Sequence, residues 1–565
     1  MLITLLACFY ITLICRGWGL LVLQSLKKKF KDETFSLPHF SIVCFVGLAA
    51  ITVFAGFLSL LMPLGGWLAQ VLIIIPGLFL FFRNRQSSLF LKLKKYLNEL
   101  HPALLFLFIS CIVMILLMST WMITHPDTLG YHAQTIQWIE KHKAVPGIVQ
   151  LHVRYGYQGL WYVACAVFSF RFAGIESVTY LNFSVLIWYF LFITSMLYKY
   201  LYKVSDFKKG LLWLLLFVIS IWSYTQVRLT ASSASPDFIT ALLLWLIFYF
   251  LSTNGININS TVRWVLIIFL CVFAVCIKLS AFPVIIIALY AFFQSLRLKK
   301  MKPLFFAFAI AAITFSPFVA RNIISSGYIA FPSTFPDVVN ADWKYNKELT
   351  AIEKNYISAY AKGYRDGSRK EVAANASQNI SQWLPLWWDT LSISDKSIIS
   401  FLLLSLLLAI TAIKQILRSD LRLKIILLCE LAGIVFWFVQ APDPRFGFGF
   451  LIAFPATVFN NYYSSKYFLQ FSLFKKIITP LIIGIGLFVS AYSIYRVINF
   501  FSVKQVMCPM GIEAVPYTKI KCDNIEFNLP VKNNPCGNTA IPCVYNSCEN
   551  FQPRGSKIED GFKAR

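Results

Sequence analysis

Continuously apolar stretches of about 18 residues or more, each long enough to cross a bilayer's hydrocarbon core as a helix, recur from end to end of this 565-residue chain. Lipid offers no water to exposed backbone amides, so such stretches must satisfy their hydrogen bonds internally, as helices do. The strict alternation of a barrel strand is missing. Composition agrees. Charged residues make up 13% of the chain and hydrophobic ones 58%, whereas a soluble chain carries about a quarter charged residues. The expected fold class is therefore an all-α polytopic membrane protein.

The formal net charge of +26 invites a nucleic-acid reading, but its distribution speaks against one. Basic residues gather at 27–31, 83–95, 199–209, 297–302, 414–424 and 466–476, each group beside an apolar run and with few acids nearby. Lys and Arg mark cytoplasmic loops. A topology signal explains them, and no nucleic-acid partner is expected.

Placing those loops in the cytoplasm sets a path of about fourteen spans. They fall near 2–23, 40–60, 65–82, 102–121, 177–200, 208–228, 237–252, 262–277, 280–296, 303–320, 396–416, 423–440, 448–463 and 476–497. The N-terminus then starts outside. The first run has no basic segment before it and no small-residue cleavage site after it, so it reads as a span rather than a signal peptide. The apolar segment 157–171 is short, and counting it as a span would invert every later loop. It is therefore expected to lie at the outer interface, its aromatic residues at headgroup level, with a re-entrant hairpin as the alternative. Three large outer segments result, 122–176, 321–395 and 498–565. The cytoplasmic loops are too short for a nucleotide-binding domain, and no Walker A pattern occurs.

Eight of the thirteen cysteines lie in or beside apolar runs, where Cys behaves as a small hydrophobe. The others, Cys508, Cys522, Cys536, Cys543 and Cys548, share the tail. Clustering in a polar segment placed outside points to disulfides. Five is odd, so one thiol stays free or pairs elsewhere.

The richest stretch for chemistry is the first outer loop. It runs His125-Pro126-Asp127-Thr128-Leu129-Gly130-Tyr131-His132 and continues through Trp138, Glu140 and His142 to His152-Val153-Arg154, holding four of the chain's six histidines. An acid just beyond a span, near imidazoles and an arginine, suits a general base or a divalent-metal ligand. The histidine spacing is not that of a zinc motif. Asp before a helix is also an ordinary N-cap, so both roles stand open for Asp127. Further polar residues map to the outer ends of spans: Asp237, Lys278, Arg321, Asn322, Asp443 and Arg445. Ionisable groups at membrane depth are expensive and often functional, and Lys278 and Arg321 have the charge to hold a phosphate.

The order of these features resembles the GT-C class of membrane glycosyltransferases. An outer loop with an early Asp is followed by an interfacial helix. A Pro-Asp (Pro236-Asp237) opens an inward span, a lysine (Lys278) lies between two spans, and a Pro-containing span ends in Arg321-Asn322 before Ser-Gly-Tyr. Arg445-Phe446 lies in a late outer turn. The stretches RNIISSGYIAFP (321–332), Asp342-Trp343 and WLPLW (383–387) are similar to a group of bacterial membrane proteins of that architecture. So is the tail from Cys536 through Ile541-Pro542-Cys543 to Arg554-Gly555 and Asp560-Gly561-Phe562. The resemblance covers roughly 102–565. It implies a region of extra helices over 1–101, a GT-C-like core over 102–497 and a non-cytoplasmic tail over 498–565.

The implied activity is transfer of a sugar from a polyprenyl-phosphate-linked donor to a cell-envelope glycan or lipid acceptor, on the outer face of a bacterial inner membrane. Asp127 takes the position of the acid that activates the acceptor, with His132, Arg154, Asp237, Lys278, Arg321, Asn322, Asp443 and Arg445 as substrate-binding candidates. The chain departs from the family pattern in having Thr128 rather than a second acid beside Asp127, and Tyr155-Gly156-Tyr157-Gln158 where a His-Pro-Pro opening is usual. Two other classes compete. An O-antigen ligase or polymerase relies on a late-loop histidine, which 321–395 lacks. A transporter of lipid-linked saccharide favours internal repeats and helices broken at mid-membrane, and no repeat is evident.

Overall fold

The computed structural model describes residues 1–83, 99–204, 207–222, 224–252, 260–297, 301–463, 471–531, 534–545 and 548–565. The side chains of the basic groups expected at 83–95, 208–209, 299–302 and 466–475 lie outside the described residues. Among the described residues nine helices are long and apolar enough to cross a membrane: Leu2–Phe30, Phe40–Leu61, Pro102–Thr120, Tyr180–Lys203, Leu279–Arg297, Pro303–Ser326, Ile393–Thr411, Leu421–Gln440 and Lys476–Phe500. Each coincides with an expected span. The other five expected spans are occupied by shorter helices: Trp67–Arg83, Phe207–Trp222 followed by Tyr224–Ala231, Asp237–Ser252, Thr261–Ile277 and Pro444–Val458. The chain is thus a membrane-associated, predominantly α-helical protein.

The helices that position the site are α1 (Leu2–Phe30), α2 (Phe40–Leu61), α3 (Trp67–Arg83), α4 (Pro102–Thr120), α5 (Ala133–Lys141), α6 (Leu160–Val167) and α7 (Tyr180–Leu197). They continue with α8 (Asp237–Ser252), α9 (Thr261–Ile277), α10 (Met301–Ser326), α11 (Lys347–Ala361), α12 (Arg369–Ala374) and α13 (Pro444–Val458).

The first three helices are not an appendage. α1 and α2 cross at glycine, and a Cβ on Gly47 would sit 1.7 Å from the carbonyl oxygen of Cys15. Small residues let helix backbones approach closely where lipid supplies no hydrophobic drive between them. α2 then packs on α6, α7 and α10. Polar side chains stitch the bundle at depth. Trp188 of α7 donates to Thr12 of α1 at 2.9 Å, and Gln70 of α3 donates to the carbonyl of Val167 in α6 at 2.9 Å. At the other end of α1, Asp32 accepts from Ser260 Oγ at 2.7 Å and from the amide of Val262 at 3.1 Å. The α1–α2 connection thereby satisfies donors at the start of α9.

The segment 157–171, expected at the outer interface, packs its aromatic residues within the protein: Trp161, Tyr162, Phe168 and Phe170 are all buried. All eight residues of α6 are buried, Trp161 completely. Gly159 allows this, because a Cβ there would meet the carbonyl oxygen of Ile277 at 2.6 Å. A helix so apolar finds its environment among α2, α5 and α9.

The three segments expected outside form one layer at the same end of the bundle. The tail carries two antiparallel hairpins, β1 (Tyr517–Cys522) with β2 (Ile525–Pro530) and β3 (Phe551–Pro553) with β4 (Phe562–Ala564). Their inner residues Phe527, Phe551 and Phe562 share a small core with Trp138, Ile148 and Tyr155 of the first loop. Gln134 donates to the carbonyls of Gly537 and Thr539, and Arg554 pairs with Asp342 of the second loop at 2.9 Å. The N-terminal end of α1 reaches this layer too, where the Met1 amine meets the carbonyl of Gln505. The tail bridges Cys522 to Cys548 and Cys536 to Cys543, and leaves Cys508 exposed.

That pairing is testable. Non-reducing peptide mapping of the oxidised protein should recover the Cys522–Cys548 and Cys536–Cys543 linkages, with Cys508 alone open to alkylation. A linkage of Cys508 to any of the four would refute it.

Candidate functional site

α4 ends at Thr120, and the chain then runs extended to a single turn of π-helix over Thr128–His132 before α5 begins. The tail straps this crossing. The Met510 amide donates to Thr120 O, the Ile123 amide to Gly511 O and the Gly537 amide to Leu129 O, each at 2.9 Å. Asp127 is the last residue before the π-turn. It has helical backbone angles and makes no side-chain cap. His125 takes that role instead, its Nδ1 accepting from the Thr128 amide at 3.2 Å. The capping reading of Asp127 is therefore set aside, because an imidazole two residues upstream already satisfies that donor.

The carboxylate of Asp127 is spent on two arginines. Arg154 Nη1 donates to Oδ1 at 2.8 Å and Arg445 Nη1 to Oδ2 at 3.1 Å. Arg154 comes from a 3-10 turn over Val153–Gly156, and Arg445 from the first turn of α13. Each arginine has a further acid. Arg154 Nε lies 3.5 Å from Glu353 on α11, and Arg445 Nε donates to Asp443, the N-cap of α13, at 3.1 Å. Glu353 in turn holds Arg369 at the start of α12 at 2.8 Å and accepts from the Tyr157 hydroxyl at 3.3 Å. Next door Lys278, the C-cap of α9, pairs with Asp237, the first residue of α8. The ring of Phe446 joins the two groups, with Lys278 Nζ 4.1 Å and the Arg445 guanidinium 4.8 Å from its centroid.

Four acids and four bases from seven segments thus meet at one end of the bundle. Glu353 is sealed at 2% exposure, whereas Asp127, Arg154, Arg445 and Asp443 keep 22–23%. The sealed acid anchors the cluster, and the other four keep part of their surface open. Desolvation raises the proton affinity of Asp127, but Arg445 and Arg154 more than reverse this and hold its carboxyl well below the usual range. Burial drives His132 down to about 3, so it is neutral at physiological pH. Its Nδ1 lies 3.1 Å from the Thr128 hydroxyl and its ring packs on Tyr162. Tyr131 lies beneath Arg154, its ring centroid 5.4 Å from the guanidinium.

Of the residues expected at a site, the fold gathers Asp127, Arg154, Asp237, Lys278, Asp443 and Arg445, with His132 alongside. Arg321 and Asn322 spend their hydrogen bonds elsewhere. Arg321 is buried, its Nε and Nη2 donating to Gln158 Oε1 at 3.1 and 2.6 Å and its Nη1 to Ser59 Oγ at 2.8 Å. Asn322 bonds Phe318 O and the Phe331 amide. Both fasten α10 to its neighbours. Glu353, Arg369 and Tyr157 were missed. Nothing in a polar amphipathic helix such as α11 marks one glutamate as buried, and only the packing of the second loop on the first reveals it. A divalent metal does not fit these residues as they stand, since both Asp127 oxygens face guanidinium groups. Among the described residues no three potential ligands converge.

A family model described as a domain of unknown function (DUF8201) matches residues 1–452. The chain belongs to the DUF8201 family. No curated protein and no solved structure matches it. The region matched by the DUF8201 model contains every member of the charge cluster, α1–α3 included with it, and leaves the disulfide-bridged tail outside.

Two outcomes are expected. Removing one partner of a buried ion pair strands the other charges, so Glu353→Leu should lower stability by on the order of 3 kcal/mol, read as thermal unfolding in detergent. Glu140 gives a pH dependence. Burial pushes its carboxyl up to about 7 despite Ser169 and Arg171. The folded state then holds this proton more tightly than the unfolded chain. Stability should fall as pH rises from the ordinary carboxylate range to about 7, and Glu140→Gln should flatten that slope.

Proposed function

We propose that this chain is a GT-C-like membrane glycosyltransferase with fourteen spans. It moves a sugar from a polyprenyl-phosphate-linked donor to a cell-envelope glycan or lipid acceptor on the outer face of a bacterial inner membrane. The observation that carries this reading is the partly exposed cluster in which Arg154 and Arg445 clamp Asp127, with Lys278 beside it across Phe446, at the end of the bundle that bears the large loops. Lipid-linked phosphate has its head at such a boundary, and guanidinium and ammonium groups are its natural partners.

In this reading the three cations hold the donor phosphate. The acceptor hydroxyl attacks the sugar's anomeric carbon. The bond from that carbon to the phosphate oxygen breaks, and the electron pair leaves with the polyprenyl phosphate. The acceptor's proton goes to Asp127. Tyr131 and His132 flank the sugar.

The test is transfer itself. Purified protein in nanodiscs, given a lipid-linked sugar extract, should yield a glycosylated acceptor, and envelope glycans should change when the protein is removed from its cell. Asp127→Asn keeps the shape and removes the proton acceptor. A general base is worth roughly 10²–10⁴ in rate, so the variant should fold normally and lose turnover by about that factor. Near-normal transfer by a well-folded variant would exclude the role.

A further inference from the structure

The ion pairs around Asp127 are not equivalent. Arg154 has an acid of its own on the far side, the sealed Glu353, which Arg369 also grips. Arg445 has Asp443, fixed at a helix start by its bond from the Arg445 amide at 3.1 Å. Either arginine is therefore held in place without Asp127. Asp127 is the one carboxylate they share. It takes a single Nη1 nitrogen from each and makes no cap to the following turn. Among the described residues the Nη2 nitrogen of neither arginine meets a protein acceptor. Two pre-anchored guanidinium groups with spare donors, bridged by one partly exposed carboxylate, have the layout of an anion site that already holds an anion.

We infer that the space between Arg154 and Arg445 is a seat for a phosphate monoester, and that Asp127 is its exchangeable internal occupant. The inference rests on the donor reading above and assigns it an order of events. A polyprenyl-phosphate-linked sugar is a phosphodiester with a single negative charge, no more than the Asp127 carboxylate brings. When the bond to the sugar breaks, the leaving polyprenyl phosphate becomes a monoester with a charge of roughly −1.5 to −2 and three acceptor oxygens. The arginines then favour the phosphate over Asp127. An interaction that strengthens as the bond breaks accelerates the reaction. Asp127, released from the two cations that suppress its proton affinity, takes the acceptor's proton in the same passage. Leaving-group capture and base activation are one exchange, and an empty site holds its base switched off.

Binding measurements test this separately from catalysis. The probes are farnesyl phosphate, its methyl ester, inorganic phosphate and neutral farnesol, each titrated against the full chain in detergent. The wild type should bind farnesyl phosphate more tightly than the methyl ester. Asp127→Asn and Asp127→Ala both remove the competing charge, so each should bind farnesyl phosphate more tightly, by on the order of tenfold to a hundredfold. Adding Arg445→Gln should abolish the gain, and farnesol should show none. An equal gain for inorganic phosphate makes the seat one for free phosphate, and a gain confined to farnesyl phosphate makes it one for a lipid headgroup. Unchanged or weaker binding in both Asp127 variants overturns the inference. So does failure of both to fold, since Asp127 would then be the structural centre of the cluster. Transfer by the wild type without the affinity gain removes the seat alone, and an affinity gain in a protein without transfer removes the glycosyltransferase alone.

Discussion

A charge held away from water must have a partner, and at the loop-bearing end of this bundle that requirement organises everything else. Arg369, Glu353, Arg154, Asp127, Arg445 and Asp443 form a single alternating chain of ion pairs, with Lys278 and Asp237 beside it across Phe446. Its members come from the starts and ends of helices and from both large loops. Withdrawing one element would strand a charge on another, and the energetic penalty for that is what ties loop 122–176 to loop 321–395 and both to α13. The network also has a gradient. It is sealed at Glu353 and partly exposed at Asp127, the pattern of a site whose support is buried and whose working edge is accessible.

The bundle beneath presents this network on a rigid base. α1 and α2 meet at Gly47 with no room for a side chain, α2 backs α6, and α6 is the floor on which the first loop rests. Ser59 of α2 is an acceptor for Arg321 of α10, and Gln158, at the entry to α6, is the other. The Arg321 guanidinium, held by these neutral acceptors, therefore serves as a three-way bolt between helices. The tail closes the layer from the opposite side through Phe562, Phe527 and the disulfides, and its hydrogen bonds to Thr120, Ile123 and Leu129 set where Asp127 stands.

Much of the helical framework was legible in the sequence. Unbroken apolar runs leave helices as the only spanning solution in lipid, so the nine long apolar helices among the described residues fall where the runs are. Asp237, Lys278, Asp443 and Arg445 were legible as candidates because each lies at the end of an apolar run, where a charge is expensive, and Asp127 and Arg154 because they stand with four histidines in the first outer loop. The burial of α6 was not legible. Apolar composition reads alike for a helix in lipid and a helix among helices, and Gly159 gives no sign of which neighbour comes close.

Sequence by itself determined the membrane-associated helical class, the polar ends of the helices and the concentration of the tail cysteines, because each follows from local composition against the physics of the bilayer or of thiol oxidation. Only the tertiary structure decided which charges meet. It sent Arg321 inward to Gln158 and Ser59, brought Glu353 from a surface-like helix to the heart of the cluster, and gave the cap before the π-turn to His125. These outcomes depend on contacts between residues as far apart as Asp127 and Arg445, and the pairing of distant charges is fixed by packing geometry that no local pattern encodes.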